Sequence, residues 1–195
     1  MATFNAKANE LINTDVTDEF LTATASEVLQ AMPVTDLIRY ADTTEVTDDS
    51  GFNSQNKRVL GVLRHGYTAQ EVELGLQNQV VDSGSIHFSA TRSPVYYYDS
   101  GNIFAKPDPT ADEKVIVKFI AEPTVQGTDS SITGFPDTAE YAVVLGACVK
   151  QLTKEIDNAM GEEDVEIAQG LKLQLDTLQG LYQAELQRLG GIQWH

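Results

Sequence analysis

The side chains with the most chemistry to offer are three histidines, one cysteine, a run of three acids, a tyrosine triplet and a single tryptophan. His65, His87 and His195 could each carry a proton or bind a metal. None stands in a His-x-x-x-His or His-Glu-x-x-His spacing or has a cysteine partner, so each reads as a structural or solvated histidine. Cys148 is the only thiol, on the apolar stripe of a predicted helix with no base nearer than Lys150, and reads as buried and inert rather than nucleophilic. Glu162-Glu163-Asp164 could be an acid cluster or a cation site. It lies at a helix start, where negative charge complements the helix dipole by ~0.3–1 kcal/mol, and that role suffices. The Asp48-x-Ser50 segment lacks the spaced ligands and closing glutamate of a calcium loop. No phosphate-binding glycine loop and no Gly-x-Ser-x-Gly elbow occurs either. The expectation is therefore a protein that is not an enzyme, with no catalytic, cofactor-binding or metal-binding residue and no cofactor.

Recognition is the chemistry that remains. Tyr96, Tyr97 and Tyr98 fall on a predicted strand, which sends Tyr96 and Tyr98 to one face and Tyr97 to the other. Core packing accounts for two of the rings, and at least one is left for a partner, since tyrosine is enriched at interfaces. Trp194, the only tryptophan, lies beyond a Gly190-Gly191 stop in the segment Ile192-Gln193-Trp194-His195. It either folds back on its own chain or docks on a neighbour. Ile192, Trp194, His195 and the three tyrosines are the interaction candidates.

The elements that carry these residues follow from periodicity. From Phe135 to Gly190 the pattern is helical, with Tyr141, Val144, Leu145, Cys148, Leu152 and Ile156 recurring at steps of three and four. After a break at Met160-Gly161, where glycine suits a left-handed C′ position, Ala168, Leu171, Leu175, Leu178, Tyr182 and Leu189 form a second seam interrupted by Glu185. Two long antiparallel helices with facing apolar stripes are expected, opening at Pro136. Residues 1–14 read as a polar tail, mobile or docked on a partner. A helix follows, capped by Asp15 or Thr17, apolar through Phe20, Leu21, Val28, Leu29 and Met32, and stopped or kinked by Pro33. A short helical piece at 35–41 would turn Leu37, Ile38 and Tyr40 inward, and residues 42–56 read as a polar loop.

From Lys57 the period changes to two. Strands are expected at 58–64, less clearly through Val72, Leu74 and Leu76, at 94–98 and 103–106 around an Asp99-Ser100-Gly101-Asn102 hairpin turn, and at 114–121. Asp82-Ser83-Gly84-Ser85 is a turn that could cap a helical turn or two through Ala90, and residues 123–134 read as a flexible connector. The fold class is α+β and mainly helical, a bundle of the N-terminal helix and the C-terminal hairpin with a small antiparallel β insertion. The regions are 1–56, 57–134, 135–190 and a tail at 191–195.

Composition narrows the partners. The 195 residues are 42% hydrophobic, with no run of ~18 apolar residues to span a membrane, and no basic-then-apolar signal opens the sequence. Net charge is −16, with ten acids against two bases in residues 1–56, nine against seven in 57–134 and ten against four in 135–195. Grip on a phosphate backbone needs clustered lysine and arginine, so nucleic acid is not an ordinary ligand. The acid serves solubility, or keeps the surface from sticking to nucleic acid that passes close by.

The order of features resembles the head-to-tail adaptor, or connector, proteins of tailed bacteriophages. The resemblance is carried by the N-terminal helix, by Val59-Leu60-Gly61-Val62-Leu63-Arg64, and by the stretch Asp82 to Pro107 with Ser93-Pro94-Val95-Tyr96-Tyr97. The strand Val115 to Ile120 and the Phe135-Pro136 opening of an alanine- and valine-rich helix followed by a long closing helix complete it. It covers nearly the whole chain and rests on order and spacing. The acidic N-terminal loop and the Trp194 tail have no counterpart in it. The resemblance implies a structural virion protein without an active site, a homo-oligomeric ring most often of twelve copies. It implies the portal protein above, tail or nozzle proteins below, and genome DNA passing through without specific binding. It also implies a place at the head-tail interface after synthesis in the host cytoplasm. The alternative is a small acidic interaction module, such as another tail-completion or nozzle component, that binds one partner through its tyrosines.

Overall fold

The computed structural model describes residues 2–162 and 164–190. The chain divides into two compact units, one made of residues 1–36 with 123–195 and the other of residues 37–122.

The first unit is helical. Helix α1 (Phe4–Ile12) starts at Thr3, whose hydroxyl accepts from the Ala6 amide, and buries Phe4, Ala8 and Ile12. It stands where a polar tail is expected: three apolar side chains spaced at four residues suffice for one face, and the segment is further tied by backbone bonds from Phe4 N to Asp129 O and Asn5 N to Gly127 O. Helix α2 (Asp18–Ala31) is capped by Thr17 and carries Asp18 and Glu19 in its first turn, which suits the dipole. It ends just before Pro33, and a single turn, α3 (Val34–Leu37), follows. Leu37 is buried, but Ile38 and Tyr40 are exposed rather than inward, because the helix stops before reaching them.

Helices α4 (Asp137–Gly161) and α5 (Val165–Gly190) are the expected long pair and pack on each other. Every residue from Ala142 to Cys148 is buried, because α1 and α2 also lie against α4. A one-stripe reading misses this, and it misplaces Tyr141, which is 47% exposed. Gly161 stays helical and is not among the left-handed residues, and Glu162 takes the cap. Ala168, Leu178 and Leu189 are buried on α5, with Leu171, Leu175 and Tyr182 half-buried, as the seam predicts. Residues 123–134 are not a flexible connector. The Thr22 hydroxyl bonds both the carbonyl and the amide of Val125, the Asp18 carboxylate accepts from Gly127 N, and Val125 and Ile132 are buried.

The second unit holds two four-stranded sheets. Its strands are β1 (Asp42–Val46), β2 (Phe52–Asn53), β3 (Lys57–Arg64), β4 (Tyr67–Thr68), β5 (Gln70–Glu71), β6 (Val95–Asp99), β7 (Asn102–Lys106) and β8 (Val115–Ala121). The first sheet runs β1-β8-β3-β4 and is antiparallel; the second runs β2-β7-β6-β5, antiparallel except for the β5–β6 pair. Val62, Ile103, Ala105, Val115 and Val117 from both sheets share one core, closed by Phe52 against Phe119 at 5.0 Å between ring centres. A bulge between Val59 and Gly61 keeps Val62 pointing inward.

Three expectations for this unit give way. Residues 42–56 are not all loop, because β1 is a polar edge strand whose pairing with β8 is specified by backbone bonds rather than by apolar alternation. Val72 to Leu76 is no strand, and Leu74–Leu76 forms a turn of 3₁₀ helix. Residues 86–90 form no helix, and Ile86 is 96% exposed; the Asp82 turn is real, with its carboxylate accepting from Gly84 N.

Candidate functional site

The tyrosine strand is the one candidate recognition feature that lies wholly within the described residues. Ser100 and Gly101 both adopt positive φ, the requirement of a two-residue primed turn, and this sets the β6–β7 register that pairs Tyr97 with Phe104. Alternation then sorts the rings as expected. Tyr97 is buried and stacks on Phe104 at 5.8 Å between ring centres, whereas Tyr96 and Tyr98 share the opposite face and meet edge-on at 5.9 Å. The Tyr96 hydroxyl donates to Glu71 Oε2 at 3.1 Å, a partner supplied by β5. Burial, and then the Glu71 carboxylate, push both phenols above their ordinary range, so they remain neutral donors. Tyr98 is 40% exposed. The face is suited to packing and hydrogen bonding.

The other candidates separate. His65 sits at positive φ in the β3–β4 turn and is exposed, and His87 is exposed in the loop after Asp82. Cys148 is buried among helices, and burial pushes its thiol up to about 12, which keeps it protonated and unreactive. Asp164 lies where α5 begins, its carboxylate accepting from the Ile167 amide and its carbonyl from Ala168 N, the helix-start role read for the acid run, whereas Glu162 caps the C-terminal end of α4 and Glu163 lies outside the described residues. Among the described residues no group of three or more His, Cys, Asp and Glu side chains gathers as around a metal, and no helix is long and apolar enough to cross a membrane. Ile192, Trp194 and His195 lie outside the described residues.

Two arrangements have no signal in spacing alone. Arg64 is buried at the end of β3 and binds Glu113 at 2.7 Å and Asp108 O at 3.1 Å, an ion pair between residues 49 apart. It locks the Pro107-Asp108-Pro109 loop onto the first sheet. Glu140 is buried in the first turn of α4, where its carboxylate accepts from the Ile132 amide at 2.9 Å and faces Lys7 at 3.7 Å. A carboxylate eight residues from its amide partner could be suspected only once Phe135-Pro136 is known to turn the chain into the helix. A small cavity in the β unit, lined by Phe52, Ile103, Val115 and Val117, holds about 10 Å³, room for a water and not for a ligand.

No protein-family model and no curated protein matches this sequence.

Proposed function

We propose that this chain is a structural virion protein, a subunit of the ring that joins the portal of a tailed phage to its tail and forms part of the DNA channel. The observation that carries the reading is the order of elements. A capped N-terminal helix is followed by a β unit with a tyrosine hairpin, then by a Phe135-Pro136 entry into the long α4–α5 pair. That order is the one by which the sequence resembles head-to-tail adaptors. In this reading α1, α2, α4 and α5 make a helical bundle that forms the wall of the ring, and the sheets are its insertion. Contacts that repeat by rotation close such a ring, with twelve copies expected. A net charge of −16 per copy, repeated around the ring, keeps like charge beside the genome so that DNA slides without sticking.

Light scattering of the purified chain, alone and with portal protein, tests this. A ring-sized mass, free or formed only on the portal, supports the reading, and a one-to-one complex sinks it. Tight binding of duplex DNA by the isolated chain at physiological salt would contradict the channel role. The exposure of Tyr98 favours the second reading, a small acidic module that engages one partner through its tyrosine face. In that case Tyr98→Ala weakens a one-to-one complex and no ring forms. For the C-terminal segment, Trp194→Ala should leave the melting curve intact and reduce assembly; unchanged assembly disposes of docking by that side chain.

A further inference from the structure

One exposed face of α5 is built symmetrically. Thr177 is its centre, and the residues four and seven positions away in each direction lie within about 40° of it on a helical projection, as do those eleven away. Four away stand Leu173 and Leu181, seven away Gly170 and Ala184, eleven away Glu166 and Arg188, and all of these positions are exposed. Leu173 is 75% exposed and Leu181 46%, a cost in water that neither packing among the described residues nor solubility explains. Gly170 has nothing among the described residues within 4 Å of where a Cβ would be, so their packing does not require glycine there. A mid-helix glycine weakens the helix, and it is useful where a second backbone approaches closely.

We propose that two copies of this chain pair through this face, their α5 helices antiparallel about a two-fold axis at Thr177. Leu173 then meets Leu181 of the second copy, Gly170 meets Ala184, and Glu166 meets Arg188, each twice. Charge complementarity selects this occupant and this direction. The ends of the stripe carry opposite charge, so an antiparallel copy pairs acid with base at both ends, while a parallel copy opposes acid to acid and base to base. Arg188 is half exposed and, beyond its bonds to Glu185 Oε2 and Thr138 O, keeps donors to spare. Between Glu166 and Arg188 the stripe carries no charge, so two copies at −16 each can approach here without opposing acids. One helix pair of about 33 Å is a small interface, so the dimer should be reversible, with Kd on the order of micromolar. The pairing does not depend on the ring reading, since a two-fold contact closes at two copies while a ring needs one that repeats.

Sedimentation equilibrium of the full chain tests it. A monomer–dimer equilibrium is expected, abolished by Leu173→Glu with helical circular dichroism unchanged. Glu166→Arg and Arg188→Glu should each weaken association by about tenfold, and the two together should restore it. Register is read by oxidation, since Cys148 is buried and does not compete. Gly170→Cys mixed with Ala184→Cys should give a cross-linked heterodimer, and neither variant alone should cross-link. A chain monomeric at about 100 times that Kd overturns the proposal. So does association indifferent to Leu173→Glu, failure of the double charge exchange to restore it, or cross-linking by Gly170→Cys alone.

Discussion

Gly146 shows how much one missing methyl group decides. It lies mid-way along α4, and a Cβ there would stand 2.4 Å from Thr24 Cγ2 on α2 and 2.8 Å from Tyr182 Cζ on α5. Three helices converge on a hydrogen atom. Gly146→Ala should therefore destabilise the helical unit by about 1–3 kcal/mol despite the better helix propensity of alanine, measured as a lower urea midpoint. Gly180→Ala, where the Cβ would meet nothing within 4 Å, should stabilise by about 0.5–1 kcal/mol. Beside Gly146, Tyr182 and Cys148 report on the same packing through protons. Burial, then Glu27, push the Tyr182 phenol from 10.0 up to about 12, and burial moves the Cys148 thiol from 9.0 to about 12. Both groups are neutral when protonated and are raised in the folded state, so the unfolded chain releases its protons first. Stability is fully present below pH 9 and falls as pH rises to about 12. Cys148→Ala should flatten the first part of that decline, between pH 9 and 10, in denaturation curves taken across the range.

At the scale of elements, the cap of α2 is the simplest lever. The Thr17 hydroxyl accepts from Phe20 N at 3.3 Å, and Thr17→Ala should cost about 1 kcal/mol, seen as a lower melting temperature with the sheets unaffected. Thr17 was legible as one of two candidate caps of α2 and Pro33 as its stop or kink, and the β6–β7 hairpin and β8 were legible too, because each announces itself within a few residues. What stayed hidden depends on distant partners. β1 reads Asp-Thr-Thr-Glu-Val and becomes a strand only because β8, some seventy residues on, offers its edge. α1 looks like a tail until Gly127 and Asp129 are present to accept its first amides. Tyr141 fits the helical stripe by spacing, yet α4 has partners on several sides and its periodicity cannot say which face is left over. The tyrosine face was legible because strand alternation is rigid, but its anchor Glu71 was not, since the parallel β5–β6 pair brings it from twenty-five residues away.

At the scale of the whole molecule, the helical unit is assembled from two stretches of chain separated by residues 37–122. The sheets carry a core of their own, from Phe52 to Phe119, so residues 37–122 expressed alone should retain a β-type circular dichroism spectrum and a cooperative thermal transition. The helical unit has no such independence, because α1 and α2 find their partner in α4, more than a hundred residues downstream. This gives the molecule an order of events at the ribosome. The first two helices emerge early with their apolar faces uncovered and must wait while the β unit is made and folds behind them. Only when α4 is synthesised is there anything for them to close on. Pulse-labelled hydrogen exchange during refolding should accordingly protect the amides of β3 and β8 before those of α2. The growing chain thus spends a defined interval with Leu21, Val28 and Leu29 bare, and in that interval it is most in need of a chaperone.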